Sequence, residues 1–196
     1  MNAMPFEVRP LTLPEVRQVY KSCMISDFPD DERKPLSMIE AALSRGEYRC
    51  LGAMGEGGVL AYAFFVRIER DGQTLELFDY LAVRRDLRDS GVGSAFLRAL
   101  CAGPLREADC VLLEVDNPEF APDAAERGIR ERRLRFYLRN GLSDTGVRAS
   151  VFGVEYIVLT LPVGRPQSRE AFKDIYETLY HSFLSDKIYK RRVAVR

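Results

Sequence analysis

The sequence predicts an α/β fold built around a mixed central sheet, and the order of its elements is the main reason. Hydrophobic periodicity along the 196 residues gives the order β-α-α-β-β-β-α-β-α-β-β, followed by one more helix. Three strands follow one another without an intervening helix, which disfavours a doubly wound sheet with regular βαβ alternation. Two glycine turns, Gly57-Gly58 and Asp71-Gly72, predict that the strands beside them pair as antiparallel hairpins.

The first elements are a strand and a capped helix. Phe6–Leu11 is predicted to be the strand. Thr12 follows, with Glu15 three residues later, and this spacing matches the capping box that begins a helix. The buried face of this helix is expected to carry Val16, Val19, Tyr20 and Cys23. Phe28–Asp31 is expected to end it.

A second helix and a hairpin come next. Pro35–Ser44 is predicted to be helical and to be closed by Gly46, since glycine commonly follows the last helical residue. The apolar runs Arg49–Met54 and Val59–Ile68 flank the turn at Gly57-Gly58, so they are predicted to pair as strands.

The middle of the chain predicts a strand, a helix and another strand. Thr74–Val83 is the strand that leaves the Asp71-Gly72 turn, and the helix that follows Gly91 is expected to end near Gly103-Pro104. Cys110–Val115 is a short and nearly continuous apolar run, which is typical of a central strand covered on both faces.

One more helix and two strands complete the predicted sheet. Ile129–Arg139 is predicted to be helical and to stop at Asn140-Gly141. Val147–Val151 and Tyr156–Val163 are the last predicted strands, with Gly153 in the bend between them. The buried stripe of the helix is expected to contain Ile129, Leu134, Tyr137 and Leu138.

The C-terminal segment lies beyond the predicted sheet. Residues 1–163 are predicted to form one domain, and residues 164–196 an extension to it. Within the extension, Gly164–Ser168 is expected to be a linker, Arg169–Leu184 an amphipathic helix and Lys187–Arg192 a loose basic tail. The helix is expected to pack on its own domain, while a role as a homodimer element or a substrate lid stays open.

Composition and charge exclude several classes of partner. The chain is 46% hydrophobic and 30% charged, which is ordinary for a globular protein. Its 29 basic residues balance its 29 acidic ones, so no global field favours nucleic acid or an anionic membrane. No apolar run approaches the length of a membrane span, and the first residues lack the pattern of a signal peptide. We therefore expect a cytoplasmic protein without a nucleic-acid or membrane partner.

The cysteines predict neither a metal centre nor a disulfide framework. Cys23, Cys50, Cys101 and Cys110 show no Cys-x-x-Cys spacing, and no cluster of histidines accompanies them. We expect no metal and a reducing compartment.

The stretch Arg88–Gly93 is the strongest sequence signal of a ligand site. It lies between a predicted strand and a predicted helix, so the free N–H groups at the start of that helix are available to an anion. Gly91 and Gly93 allow the backbone to approach a phosphate closely, and Arg88 adds a positive charge. The alternative is a glycine turn that binds nothing.

Two other nucleotide sites are excluded on the same residues. A P-loop requires a lysine after its last glycine, and none follows Gly93. A dinucleotide-binding fingerprint requires a third glycine at the position of Phe96 and a first glycine directly after the strand, whereas Arg84–Asp89 intervenes here.

A carboxylate on the strand before this turn is a candidate general base. Alternation places Asp79 on the same face as Leu77 and Leu81, among apolar side chains. A carboxylate in such a place can accept a proton during catalysis. The alternative is an acid that is partly solvated or paired with an arginine. Glu76, on the other face, is a weaker candidate, and Glu114, on the next strand, stays open as another carboxylate that could reach the cleft.

Two motifs together resemble the GCN5-related N-acetyltransferases, or GNAT superfamily. Arg88–Gly93 resembles their Arg/Gln-x-x-Gly-x-Gly/Ala signature. Arg135–Leu142 resembles their Phe-Tyr-x-x-x-Gly-Phe motif, with Leu142 in place of the final aromatic residue. The resemblance covers residues 6 to about 163, and it implies the GNAT acyl-CoA N-acyltransferase fold: a mixed, mostly antiparallel central sheet flanked by helices, here with a C-terminal helical extension.

The resemblance implies acetyl-CoA as co-substrate and assigns roles to residues of this chain. Tyr137 would protonate the leaving thiolate, and Asp79 lies where several members carry the general base. The strand residues Leu81 and Val83 would bind the pantetheine chain through their backbone. The pyrophosphate would be held by the turn and the start of the helix: Arg88, Asp89, Ser90, Gly91, Val92, Gly93 and Ser94.

The sequence departs from the family pattern between the two motifs. Many members have a pantetheine-binding Asn seven residues before the tyrosine, where this chain has Arg130. Asn117 is the candidate to supply that contact from the end of the preceding strand, and a plain Asn117-Pro118 turn is its alternative. The insert Glu119–Gly128 separates this strand from the next helix.

These observations predict an N-acetyltransferase that moves acetyl to a primary amine of a small molecule or peptide. Direct attack in a ternary complex is favoured because no Cys or Ser accompanies a histidine base, and the only histidine, His181, lies in the last helix. Acidic residues in 26–32 and 116–126 would attract a cationic acceptor, and the alternative is that these are ordinary acidic surface loops. Alternatives are a catalytically silent acyl-CoA-binding regulatory module, another acyl donor, or an alcohol acceptor.

Overall fold

The computed structural model describes residues 6–30 and 32–196, which fold into two compact units. The first contains the described residues of 1–67 together with Phe78–Arg106, and the second contains Ile68–Leu77 and Glu107–Arg196. Two long strands, β3 (Gly58–Arg70) and β4 (Gln73–Val83), contribute to both units.

The helices of the first unit lie between its first two strands and after its last strand in the chain. Its elements, besides its parts of β3 and β4, are β1 (Glu7–Pro10), α1 (Leu13–Val19), α2 (Ile25–Asp27), α3 (Leu36–Ser44), β2 (Tyr48–Gly55) and α4 (Val92–Ala102). A π-helical turn, Tyr20–Met24, joins α1 to α2. The strands are hydrogen-bonded in the order β1-β2-β3-β4, and antiparallel registers place Arg9 opposite Gly52 and Cys50 opposite Phe64.

An aromatic cluster forms much of the core of the first unit. Phe64 is fully buried, and its ring lies 6.2 Å from that of Tyr48, 5.6 Å from that of Tyr62 and 6.3 Å from that of Tyr80, between centroids. The edge-to-face packing of Phe64 with Tyr48 and Tyr80 adds to the stabilisation that burial alone provides. The cluster fixes three phenols whose hydroxyl groups reach polar partners.

The second unit contains, besides its parts of β3 and β4, the elements β5 (Cys110–Asp116), α5 (Ala124–Arg139), β6 (Ser143–Val151), β7 (Val154–Thr160), α6 (Arg169–Phe183), α7 (Asp186–Arg192) and β8 (Val193–Val195). Its last four strands are hydrogen-bonded in the order β5-β7-β6-β8, and all three pairs are antiparallel. Gly164 follows β7 with φ +71°, and a side chain there would overlap the carbonyl of Asp109, so only glycine fits.

The predicted element order and the predominance of antiparallel pairing are confirmed, and so is the contact between Thr12 and Glu15. The Thr12 backbone N–H donates to Glu15 Oε2 over 2.8 Å. At the second hairpin, Asp71 and Gly72 both have positive φ, 52° and 75°, as a two-residue turn between strands requires.

Two expectations about helix α5 are wrong. The helix begins at Ala124 rather than at Ile129, because the side chain of Asp123 accepts a hydrogen bond from Glu126 N over 2.8 Å and caps the earlier start. The predicted buried stripe is not buried: Ile129 and Leu138 are exposed, and Leu134 and Tyr137 are only partly covered. A helix so rich in arginine has few apolar positions to cover.

The C-terminal tail is ordered rather than loose. Residues 186–192 form α7, and the next three residues add β8 to the edge of the sheet, with Val193 opposite Val151. Phe152 N also donates to the carbonyl of Arg192 over 2.8 Å. The basic composition of the tail suggested a loose segment, but pairing with the edge strand β6 gives hydrogen-bond partners to the backbone of the tail.

No helix within residues 6–30 and 32–196 combines the length and the apolar character that crossing a bilayer requires.

Candidate active site

The turn before α4 forms as predicted, with Gly91 at its end. Gly91 adopts the left-handed conformation, φ +91°, and is the N-cap of α4. The first helical hydrogen bond runs from Ala95 N to Gly91 O. By helix geometry the N–H groups of Val92, Gly93 and Ser94 therefore have no partner inside the helix. Among the described residues no side chain caps this end, so these donors are available to an anion.

Arg88 is tied down beside this turn. Its Nη2 donates to Asp27 Oδ1 over 2.7 Å, and its Nε donates to the carbonyl of Val83 over 3.2 Å. The Asp27 side chain is only 7% exposed and also accepts a hydrogen bond from the Tyr62 hydroxyl over 3.0 Å. The sequence suggested Arg88 as an added positive charge for a phosphate, but in the folded chain its guanidinium is already paired with a buried carboxylate, which also lies 3.7 Å from Arg85 Nε.

Asp79 lies on β4 and binds a lysine. Lys34 Nζ lies 2.6 Å from Oδ1 and 2.8 Å from Oδ2 of this carboxylate. The hydroxyl of Tyr48 also donates to Oδ2. Burial, reinforced by the negative charge of Asp79, raises the pKa of Tyr48 well above its usual value, so the phenol remains a donor. The partner of Asp79 is thus a lysine rather than the arginine considered from the sequence.

The predicted alternation along β4 is present in the structure. Asp79, Leu81 and Val83 are partly exposed on one face, while the intervening Tyr80 and Ala82 are buried on the other. Glu76, the weaker candidate on that second face, is fully buried. Asp79, the two proposed pantetheine-binding residues and the turn up to Ser94 therefore all belong to the first unit.

Tyr137 belongs to the second unit, near the end of α5. Its ring packs edge-on against Phe136, with 5.3 Å between centroids. Burial raises the pKa of Tyr137 to about 12, with Arg133 lowering it and Asp116 raising it by smaller amounts. Arg133 and Asp116 form an ion pair, with 3.1 Å from Nη1 to Oδ2. The phenol therefore keeps its proton at neutral pH, as an acid catalyst must.

Asn117 serves a local structural purpose at the end of β5. Its Oδ1 accepts a hydrogen bond from Glu119 N over 3.0 Å and so caps the short turn at 118–120. Its backbone carbonyl accepts from Arg130 Nη1 over 3.2 Å, and Arg130 also pairs with Glu126. The turn interpretation is thus confirmed, and a pantetheine contact from Asn117 stays a prediction.

Glu114, the other carboxylate considered as a base, anchors the C-terminal helix instead. The hydroxyl groups of Tyr176 and Tyr180, both on α6, donate to its Oε1, the second over 2.6 Å. Burial and the charge of Glu114 raise the pKa of both phenols well above the usual value. Two buried donors therefore depend on one carboxylate.

Replacing Glu114 should consequently cost stability. Glu114→Ala leaves both phenols without this acceptor, at about 1–3 kcal/mol for each unsatisfied buried group, so we expect about 2–6 kcal/mol less free energy of unfolding. The control is Glu131→Ala, which removes an exposed ion pair with Arg135 worth about 0.3–0.5 kcal/mol. Urea unfolding followed by circular dichroism measures both. Equal losses in the two variants would contradict the anchoring role.

Two further arginines of α5 have partners on the same helix. Arg135 pairs with Glu131, and the guanidinium of Arg139 lies 5.4 Å from the centre of the Phe136 ring. Of the acidic loop 26–32, Asp31 lies outside the described residues.

The four cysteines are free thiols, and the part of the chain that is described contains no group of three or more His, Cys, Asp or Glu arranged to hold a metal.

Sequence reasoning missed the contacts that hold the candidate residues. Lys34 lies 45 residues before Asp79, and Tyr48 lies 31 residues before it. Neither position has a local pattern that predicts its partner.

Comparison with known proteins identifies the fold. No protein-family model matches the sequence, and no curated protein matches it. Among solved structures, a Bacteroides thetaiotaomicron protein described as an acetyltransferase of the GNAT family is 16% identical, with TM-score 0.68, over 89% of this chain and 96% of that one. The ribosomal-protein-S18-alanine N-acetyltransferase of Escherichia coli is 19% identical, with TM-score 0.55, over 83% and 96%. Arabidopsis thaliana NAA60 with a bisubstrate analogue is 14% identical, with TM-score 0.58, over 82% and 99%. The chain has the GNAT fold.

Proposed function

We propose that this chain is an acetyl-CoA-dependent N-acetyltransferase that moves acetyl to a primary amine by direct attack. The observation that carries the proposal is the uncapped start of α4 at Gly91, a left-handed glycine placed directly after β4 and its turn. The GNAT fold adds support, since NAA60, which shares it, has been solved with acetyl-CoA. A cytoplasmic location and a homodimer stay predictions.

Each proposed residue has a defined task. The backbone of Arg88–Ser94 would hold the pyrophosphate, and the backbone of Leu81 and Val83 would hold the pantetheine chain. Asp79, directly or through water, would take a proton from the acceptor, because an alkylamine with a pKa of about 10 is mostly protonated at neutral pH. Tyr137 would give its proton to the departing thiolate.

Titration of acetyl-CoA and of CoA into the purified protein by calorimetry tests the cofactor site first. Binding would justify a search for free-thiol release across a panel of primary amines. Binding without turnover on any amine would favour the silent acyl-CoA-binding module. No binding would remove the proposal, because the turn at Gly91 would then be only structural.

The ion pair between Arg88 and Asp27 leads to a prediction about affinity. Because the guanidinium of Arg88 is already engaged by Asp27, Arg88→Gln should weaken CoA binding by less than about tenfold, or about 1.4 kcal/mol. The matched control is Arg98→Gln, an exposed arginine on α4, which should leave the affinity unchanged. Calorimetric titration of both variants measures the difference. A loss of about a hundredfold or more for Arg88→Gln would mean that its guanidinium leaves Asp27 and binds the phosphates.

A further inference from the structure

The side chain of Lys34 holds its primary amine against the carboxylate of Asp79, the proposed general base. Its Nζ lies within hydrogen-bond distance of both oxygens of Asp79, at 2.6 and 2.8 Å. The two side chains are mostly covered, 24% exposed for the lysine and 13% for the aspartate. An acceptor amine would need to occupy the same position, beside the carboxylate of Asp79, in order to lose its proton to that carboxylate.

The backbone around Lys34 is fixed by specific hydrogen bonds. Its N–H donates to the Tyr80 hydroxyl over 2.8 Å, and that hydroxyl donates to the carbonyl of Glu32 over 2.9 Å. The carbonyl of Lys34 accepts from the Tyr20 hydroxyl over 3.1 Å. The ammonium also lies 5.7 Å from the centre of the Tyr80 ring. The amine is therefore held at Asp79 by its surroundings as well as by its charge.

The proposed donor site begins on the same face of the same strand. Side chains two residues apart on a strand lie about 7 Å apart on one face, so Leu81 follows Asp79 at that distance and Val83 comes next. A thioester bound along this stretch of β4 would thus come within reach of an amine bound to Asp79.

We infer that Lys34 is an acceptor within the chain and is acetylated by acetyl-CoA bound to the same molecule. This inference rests on the proposed function. The Lys34 ammonium gives one proton to Asp79, its nitrogen attacks the thioester carbonyl, and the carbon–sulfur bond breaks. The thiolate takes a proton from Tyr137, the second proton lost by the nitrogen restores that phenol, and Asp79 releases its own proton to water. The products are an N-acetyl-lysine and CoA. The amide carries no charge, so the modification breaks the ion pair between Lys34 and Asp79. The carboxylate of Asp79 is then available to bind another amine.

Labelling without an added acceptor tests the inference. The full-length protein is incubated with radiolabelled acetyl-CoA, and peptides are mapped over time. Chemical acetylation follows exposure and should label the exposed Lys21 and Lys187 fastest. We expect Lys34, although mostly covered, to be labelled at least tenfold faster than either, with a first-order rate that does not depend on protein concentration.

Two variants separate catalysis from background chemistry. Asp79→Asn should reduce labelling of Lys34 to the rate at Lys21 or below, and Gly91→Val, which leaves Lys34 and Asp79 in place, should do the same through loss of CoA binding. Labelling of Lys34 at the rate of Lys21 in wild-type protein, or undiminished labelling in Gly91→Val, would overturn the inference. If wild-type protein binds acetyl-CoA and acetylates added amines but not Lys34, only this inference fails; if it does not bind acetyl-CoA, the proposed function fails.

Discussion

Gly91→Val is expected to weaken acetyl-CoA binding by about 10²–10⁴-fold. A Cβ on Gly91 would meet no heavy atom within 4 Å, so in the free protein the new side chain enters the open space above the start of α4. In the proposed complex a phosphate fills that space. Loss of two backbone hydrogen bonds to the charged phosphates, at about 1.5–3 kcal/mol each, gives the expected factor. Calorimetric titration measures the dissociation constant.

The control for backbone strain is Gly46→Val. Gly46 closes α3 in the same unit, also with positive φ, +74°, and with nothing within 4 Å of a Cβ. Both substitutions force a β-branched residue into the left-handed region at about 1–2 kcal/mol, so both should lower stability by a similar amount. Only Gly91→Val should lose CoA. Equal affinity for CoA in the two variants would mean that the turn at Gly91 does not hold the phosphates.

The sequence could predict those parts of the fold that depend on neighbouring residues. The contact of Thr12 with Glu15, the turn at Asp71-Gly72 and the left-handed glycine at Gly91 each follow from side-chain chemistry within a few positions. Alternation likewise placed Asp79 on one face of β4 with Leu81, as the exposure of these residues confirms. Such features persist in the structure because tertiary packing does not compete with them.

What the sequence could not predict depends on contacts between distant residues. Asp27 was visible only as one acid in a loop, yet the fold buries it and uses it to bind Arg88, 61 residues away. Glu114 is a candidate base by its sequence, yet in the structure its carboxylate accepts hydrogen bonds from two phenols of α6. A carboxylate has the same sequence signature whether it anchors a helix or accepts a substrate proton. The hydrogen-bond partners of the carboxylate determine which of these two roles it has, and those partners come from distant parts of the chain.

Tyr137→Phe is expected to lower kcat by about 10²-fold or more while the affinity for CoA stays the same. The substitution removes one oxygen and keeps the ring, so the packing against Phe136 remains. General acid catalysis contributes about 10²–10⁴-fold, and no other group is proposed to protonate the thiolate. The kinetics of thiol release with an excess of amine acceptor measure kcat, and calorimetry measures CoA binding.

The pH dependence and a second tyrosine distinguish proton donation from a structural role. Because burial raises the pKa of Tyr137 to about 12, the phenol stays protonated from neutral pH to about pH 10, and the wild-type rate should not fall over that range through loss of this proton. Tyr189→Phe, on α7 and outside the proposed machinery, should leave kcat unchanged. An unchanged kcat in Tyr137→Phe would remove the assignment, whereas equal losses in both variants would indicate a general effect on folding. If kcat falls only in Tyr137→Phe, and this variant still binds CoA, the missing hydroxyl proton is the cause of the loss.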